Sequence, residues 1–179
     1  MLEHIIIGTI LDDELTGYDI KKQVETGVGN FYKVSYGSLY PTLKKLVDKD
    51  FLIKNEQKEG KRAKIYYRAT DSGKEAFQEW LNSPFDFSLG APSLVVKIYF
   101  FGRLPKEARK QQLQEYEMYY RQSLRKLKAL GKRVSEKENM DYFMLSTLYY
   151  GIRNMQTAIE WLKHIGEEKK LSEFIEEDE

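Results

Sequence analysis

The chain has 179 residues, enough for one or two domains with a real core. Its 41% hydrophobic and 32% charged residues exclude a disordered chain, and none of its apolar runs approaches the ~18 residues that span a bilayer. With no cysteine there is no disulfide and no thiol chemistry. "MLEHIIIGTIL" lacks a basic leader, so no signal peptide is expected and the expected location is cytoplasmic. The net charge of +1 hides an uneven distribution. Residues 18–68 hold 12 Lys/Arg against 6 Asp/Glu, a net +6, whereas 167–179 hold 2 against 7, a net −5.

"LEHIIIGTIL" is apolar on nearly every side and predicts a buried helix ending before Asp12. "TGYDIKKQVETG" predicts a second helix, capped by Thr16 and stopped at Gly27. In "VSYGSLYPTLKKLVDKDFLI" the residues Leu39, Leu43, Leu46 and Val47 share one helical face, leaving Tyr40, Thr42, Lys44 and Lys45 on the others. Pro41 costs ~3 kcal/mol inside a helix but little in its first turn. Either Ser38 is the cap, or the helix starts at Ser35 with an irregular first turn. Both readings turn a polar, positively polarised helix end outward, which suits a phosphate or a base edge. "FLIKNEQ" and "KIYYRAT" read as two strands around "KEGKRA", a basic turn fit to clamp phosphate. "TDSGKEAFQEWL" then begins another helix, with Thr70, Asp71 or Ser72 as cap.

"NSPFDFSLGAPS" reads as a linker. Ser93 is expected to cap a short helix through "LVVKIYFF" that Gly102 ends, and Pro105 to start a long helix to about Leu130. That helix carries Leu113, Tyr116, Tyr120, Ser123, Leu127 and Leu130 at steps of three and four. Leu145, Leu148, Ile152, Met155, Ile159 and Leu162 repeat those steps in the last helix, and such a seam wants a facing helix. An antiparallel pair within one chain would satisfy it. The surplus apolarity of the first helix argues instead for a homodimer joining the last and first helices across a two-fold axis. The acidic tail is expected to be a solvated helix end.

Catalytic signals are missing. His4 and His164 sit at opposite ends of the chain, "TGVGN" lacks the lysine and strand of a phosphate loop, and no serine has a nucleophile-elbow context. No enzyme activity, cofactor or metal is expected.

The order helix, helix, helix, strand, strand is that of a winged helix-turn-helix, whose third helix enters the major groove while the wing follows the backbone. "TGYDIKKQV", "SYGSLYPTLKKLVDKDFLI" and "KIYYRATDSGKEAF" resemble, in order and spacing, the signature blocks of the PadR-like family of transcriptional regulators. The match is close over 1–82, and the helical half resembles that of longer members. One departure is the acidic "DDEL" before Gly17, expected to affect how the first two helices meet rather than any DNA contact. The resemblance implies a fold that is mainly α with a small β-hairpin. It comprises a winged helix-turn-helix domain over 1–82, a linker over 83–92 and a C-terminal helical dimerisation domain over 93–179. It implies a homodimeric repressor on a near-palindromic double-stranded DNA operator, released by a small planar aromatic effector. Carried over by position, Ser35, Tyr36, Ser38 and Tyr40 would read DNA, while Lys44, Lys61, Arg62 and Lys64 would touch phosphate. Two other readings stand beside it: a winged-helix protein-interaction module and a multidrug-sensing ligand binder. The polar and basic surface at Ser38, Thr42, Lys44 and Lys45 argues against the first of these.

Overall fold

The computed structural model describes residues 1–59, 62–135 and 141–172, and at 58, 59, 62 and 135 the backbone alone. The chain forms two compact units, Met1–Leu104 and Pro105–Glu179. In the first, α1 (Leu2–Thr9), a two-residue strand β1 (Leu15–Thr16), α2 (Gly17–Gly27) and α3 (Tyr36–Asp48) lead to β2 (Leu52–Glu59), β3 (Arg62–Ala69) and α4 (Asp71–Asn82). A 3-10 turn at Phe87–Leu89, α5 (Gly90–Tyr99) and a second such turn at Phe101–Arg103 complete it. The expected linker over 83–92 therefore holds structure of its own, and the division between units falls after Leu104.

α1 is the hub. Ile5, Ile6, Ile7 and Ile10 are each at most 1% exposed, and the helix touches α2, α3 and α4. Each such side chain contributes ~1.5–3 kcal/mol by leaving water. These four isoleucines are thus covered within one chain.

α3 is held by one face. Leu39, Leu43 and Leu46 are wholly buried, while Tyr36, Ser38, Tyr40, Pro41 and Lys44 are exposed. Ser35 is the N-cap, so Pro41 is the sixth residue of the helix and not part of its first turn. Its missing N–H deprives the Gly37 carbonyl of a helical donor. Gly37 is exposed, so water can serve that carbonyl, and the leucine seam offsets what remains of the cost.

The wing is a three-stranded antiparallel sheet of order β1-β3-β2, not the two-stranded hairpin expected. Leu15 and Thr16 pair with Tyr67 and Tyr66, and β2 pairs with β3 from Leu52↔Ala69 to Glu59↔Arg62. Glu14, from the acidic loop, accepts hydrogen bonds from Asn55 and Gln57 of β2 at 2.8 and 3.3 Å. The loop therefore braces the wing. At the root of the sheet, Asp50 adopts φ 58°, and its carbonyl accepts from the Thr70 hydroxyl at 2.6 Å and the Ser72 hydroxyl at 2.7 Å. Thr70 also caps α4 through the Gly73 N–H. A Cβ on Gly73 would lie 2.2 Å from the Phe51 carbonyl oxygen, so only glycine lets the two backbones close here.

The second unit is a pair of packed helices, α6 (Lys106–Ser135) and α7 (Tyr142–Gly166). Gly131 of α6 lies against Leu148 and Ile152, and Gly151 of α7 against Leu127. Ile159 and Leu162 are buried; Leu145, Leu148, Ile152 and Met155 are half-buried.

Two polar side chains are set into an aromatic cluster of the first unit. The His4 ring stacks on Trp80 at 4.7 Å with 4° between planes, and its Nδ1 has no partner among the described residues. Burial pushes His4 down to about 4. The Lys97 ammonium donates to the Ser83 carbonyl and lies 5.7 Å from the Trp80 ring centre. Burial lowers its pKa from 10.5 to about 8. Below that pH the folded state holds a desolvated charge, and the cost is complete. It fades as pH rises from 8 toward 10.5, where the unfolded chain alone keeps the proton. Lys97→Met should therefore melt at a higher temperature than wild type at pH 7, with the margin shrinking in melts at pH 10.

Candidate nucleic-acid interface

The exposed start of α3 is ordered by a reciprocal cap. The Ser35 hydroxyl accepts from the Ser38 N–H at 3.2 Å, and the Ser38 hydroxyl accepts from the Ser35 N–H at 3.2 Å. Both hydroxyls are exposed, as the sequence suggested, and each is also bonded within the helix end. The free donors are the N–H groups of Tyr36 and Gly37, which find no acceptor among the described residues. They sit at the positive end of the helix dipole.

Beside this tip the tyrosines form a platform. Tyr36 and Tyr40, one turn apart, stack with centroids 5.9 Å apart and 20° between planes. The Lys21 ammonium of α2 lies 4.9 Å from the Tyr36 ring centre and also pairs with Glu25. Tyr18, at the start of α2, is 61% exposed. Between the start of α2, α3 and β3 lies a notch of about 610 Å³, walled by Tyr18, Tyr40, Ile65 and Tyr67 with Lys64 at its edge. Burial raises the Tyr67 phenol above its usual range, so it stays neutral.

The lysines of α3 divide by face. Lys45 and Lys49 both pair with Glu3 of α1, at 2.7 and 2.8 Å, and these hydrogen bonds hold the Glu3 carboxyl down to about 2. Lys44 points the other way, exposed and without an ion-pair partner among the described residues. Of the expected reading residues, Ser35, Tyr36, Ser38 and Tyr40 come together at the tip. Lys64 is exposed on β3 next to the notch. Lys61 and the Arg62 side chain lie outside the described residues.

Sequence reasoning missed Lys21, Tyr18 and Gly17. All three sit in "TGYDIKK", but only the packing of α2 against α3 brings them beside the tip. Leu148 and Ile152 face α6 of the same chain, whereas Tyr142, Phe143, Met144, Tyr149 and Tyr150 are each more than 60% exposed.

Residues 6–79 match the Transcriptional regulator PadR-like family, and residues 93–168 match Virulence activator alpha C-term. The Negative transcriptional regulator PadR of Bacillus subtilis (strain 168) is 32% identical over 110 residues, a stretch that spans 60% of each chain. Among solved structures, Bacillus subtilis PadR with operator DNA is 24% identical, covering 92% of this chain and 95% of that one, with a TM-score of 0.45. The same protein with p-coumaric acid is 24% identical, covering 92% and 96%, at a TM-score of 0.43. The Streptococcus mutans UA159 protein smu.1604c is 23% identical, covering 90% and 96%, at a TM-score of 0.46.

The Glu3 ion pairs give a check on how α3 is held. Wild type should lose this contribution to stability as pH falls from 4.5 toward 2, since the folded carboxylate resists protonation that the unfolded one accepts. Glu3→Gln should melt below wild type at pH 7, and that part of the acid sensitivity should vanish from its melting profile.

Proposed function

We propose that the chain, whose residues 6–79 match the PadR-like family of transcriptional regulators and whose residues 93–168 match Virulence activator alpha C-term, is a sequence-specific DNA-binding repressor of that family working as a homodimer. The observation that carries this is the tip of α3: anchored from beneath by three buried leucines, it presents Tyr36, Ser38, Tyr40 and Lys44 to solvent beside the wing. A relative that is a negative regulator supports repression. In a dimer, two such tips ~34 Å apart would meet successive major grooves of a near-palindromic operator. Lys44, Lys61, Arg62 and Lys64 are then the phosphate contacts, and the tip supplies the base contacts.

A small planar aromatic effector completes the reading. Bacillus subtilis PadR has been crystallised with p-coumaric acid. In the first unit here, a groove of about 550 Å³ offers aromatic walls in Tyr99 and Phe100 and the guanidinium of Arg103, which a carboxylate ligand would have to share with Asp12. Release requires that the ligand favour the DNA-incompetent arrangement.

Of the seam Leu145, Leu148, Ile152, Met155, Ile159 and Leu162, the residues Leu148 and Ile152 lie against Gly131 of α6, and Ile159 and Leu162 are buried. We therefore assign the second copy to the exposed aromatic residues of α7 around Phe143 and Tyr150.

Selection of duplexes from genomic fragments should yield a near-palindromic operator, with affinity falling steeply as salt rises. Lys61→Ala with Arg62→Ala should weaken all duplexes alike, while Ser38→Ala should change the order of preference. p-Coumaric acid should release the shifted band. A double variant that shifts the operator like wild type, or a chain that selects no duplex, contradicts the proposal. Sedimentation equilibrium at micromolar concentration should give a dimer for wild type and a monomer for Phe143→Lys, Tyr150→Lys.

A further inference from the structure

Gly17 opens α2 and is buried directly beneath the Tyr40 ring. A Cβ placed there would lie 2.9 Å from Tyr40 Cε1 and 3.3 Å from both Cζ and the phenol oxygen. Nothing else comes within 4 Å closely enough to displace these three atoms as its nearest neighbours. The backbone gives no reason for glycine, since among the described glycines only Gly90 has positive φ. Helix propensity does not call for glycine either, since alanine is the better helix former. The space taken by Tyr40 is what remains to distinguish the two residues.

Tyr40 is half exposed, and its ring is the far end of a side chain that can rotate. A methyl group at position 17 would therefore be absorbed by ring movement, not by the core. Such movement takes the ring off the position it holds at the notch wall and in its stack on Tyr36. We propose that Gly17 is a positioning residue for DNA reading: by leaving room for the Tyr40 ring in the notch, it sets sequence preference without itself touching DNA. This rests on the function proposed above.

The inference predicts an unusual combination. Gly17→Ala should melt at or above the wild-type temperature. Its preference for the selected operator over a scrambled duplex of equal length should fall about 5-fold or more, the size of a disturbed contact at a base edge. Binding to the scrambled duplex, carried by phosphate contacts, should stay within about 2-fold. Added to Tyr40→Ala, the same substitution should change nothing further, because its target is gone. In ring-labelled protein without DNA, the Tyr40 signal should move while that of Tyr116 in the second unit stays. An unmoved Tyr40 signal, an unchanged preference, or a further loss in the Tyr40→Ala background would overturn the positioning role while leaving DNA binding intact. A wild-type chain with no preference among duplexes would remove the function and this inference together.

Discussion

The leucine seam of α3 is the constraint on which the rest of the first unit depends. Leu39, Leu43 and Leu46 have no exposed surface, and a helix gripped along one face has its other face fixed with it. The direction in which Tyr36, Ser38, Tyr40 and Lys44 point follows from the core, not from any contact they make themselves. α1 makes this grip possible by offering isoleucine in every direction, so that three helices close on one. A proline six residues into α3 is tolerated for the same reason: the seam, not the backbone ladder alone, keeps the helix intact.

Charge is sorted by the same geometry. Glu3 gathers Lys45 and Lys49 on the side of α3 that faces α1, where they tie helices together. Lys44 remains on the outward side. A count of lysines in this stretch would overstate the cationic surface offered to a polyanion, because two of them already have a carboxylate partner. His4 and Lys97 show the opposite economy: both sit where burial disfavours charge, and both accept a lowered pKa for the sake of packing on Trp80.

Much of this was legible in the chain. Apolar spacing located α3 and its buried face; the Thr16 cap, a choice among three residues for the cap of α4, and the two wing strands came from local chemistry that acts within a few residues. What escaped was set by contacts distant in sequence. β1 is too short to carry a pattern, and becomes a strand only because β3 lies beside it. The leucine spacing in α7 announced that a partner helix was needed, yet could not say whether it would come from the same chain. α6 supplied it. The mutual bonding of the serines at 35 and 38 is a matter of three residues in one conformation, which spacing alone leaves undecided.

The turn at Asp50 adds a consequence for how such a chain can vary. The polypeptide leaves the helical core there and re-enters at Thr70, and the departure and return points are stitched to one another by hydroxyl–carbonyl bonds. With that junction closed, the outer reach of β2 and β3 is a detour that begins and ends at one spot. Lengthening such a detour adds entropy of closure only logarithmically, so its far end can grow or shrink while the helices keep their places. The reach of the two strands can in this way change by insertion while the junction of Asp50 with Thr70 and Ser72 stays as it is.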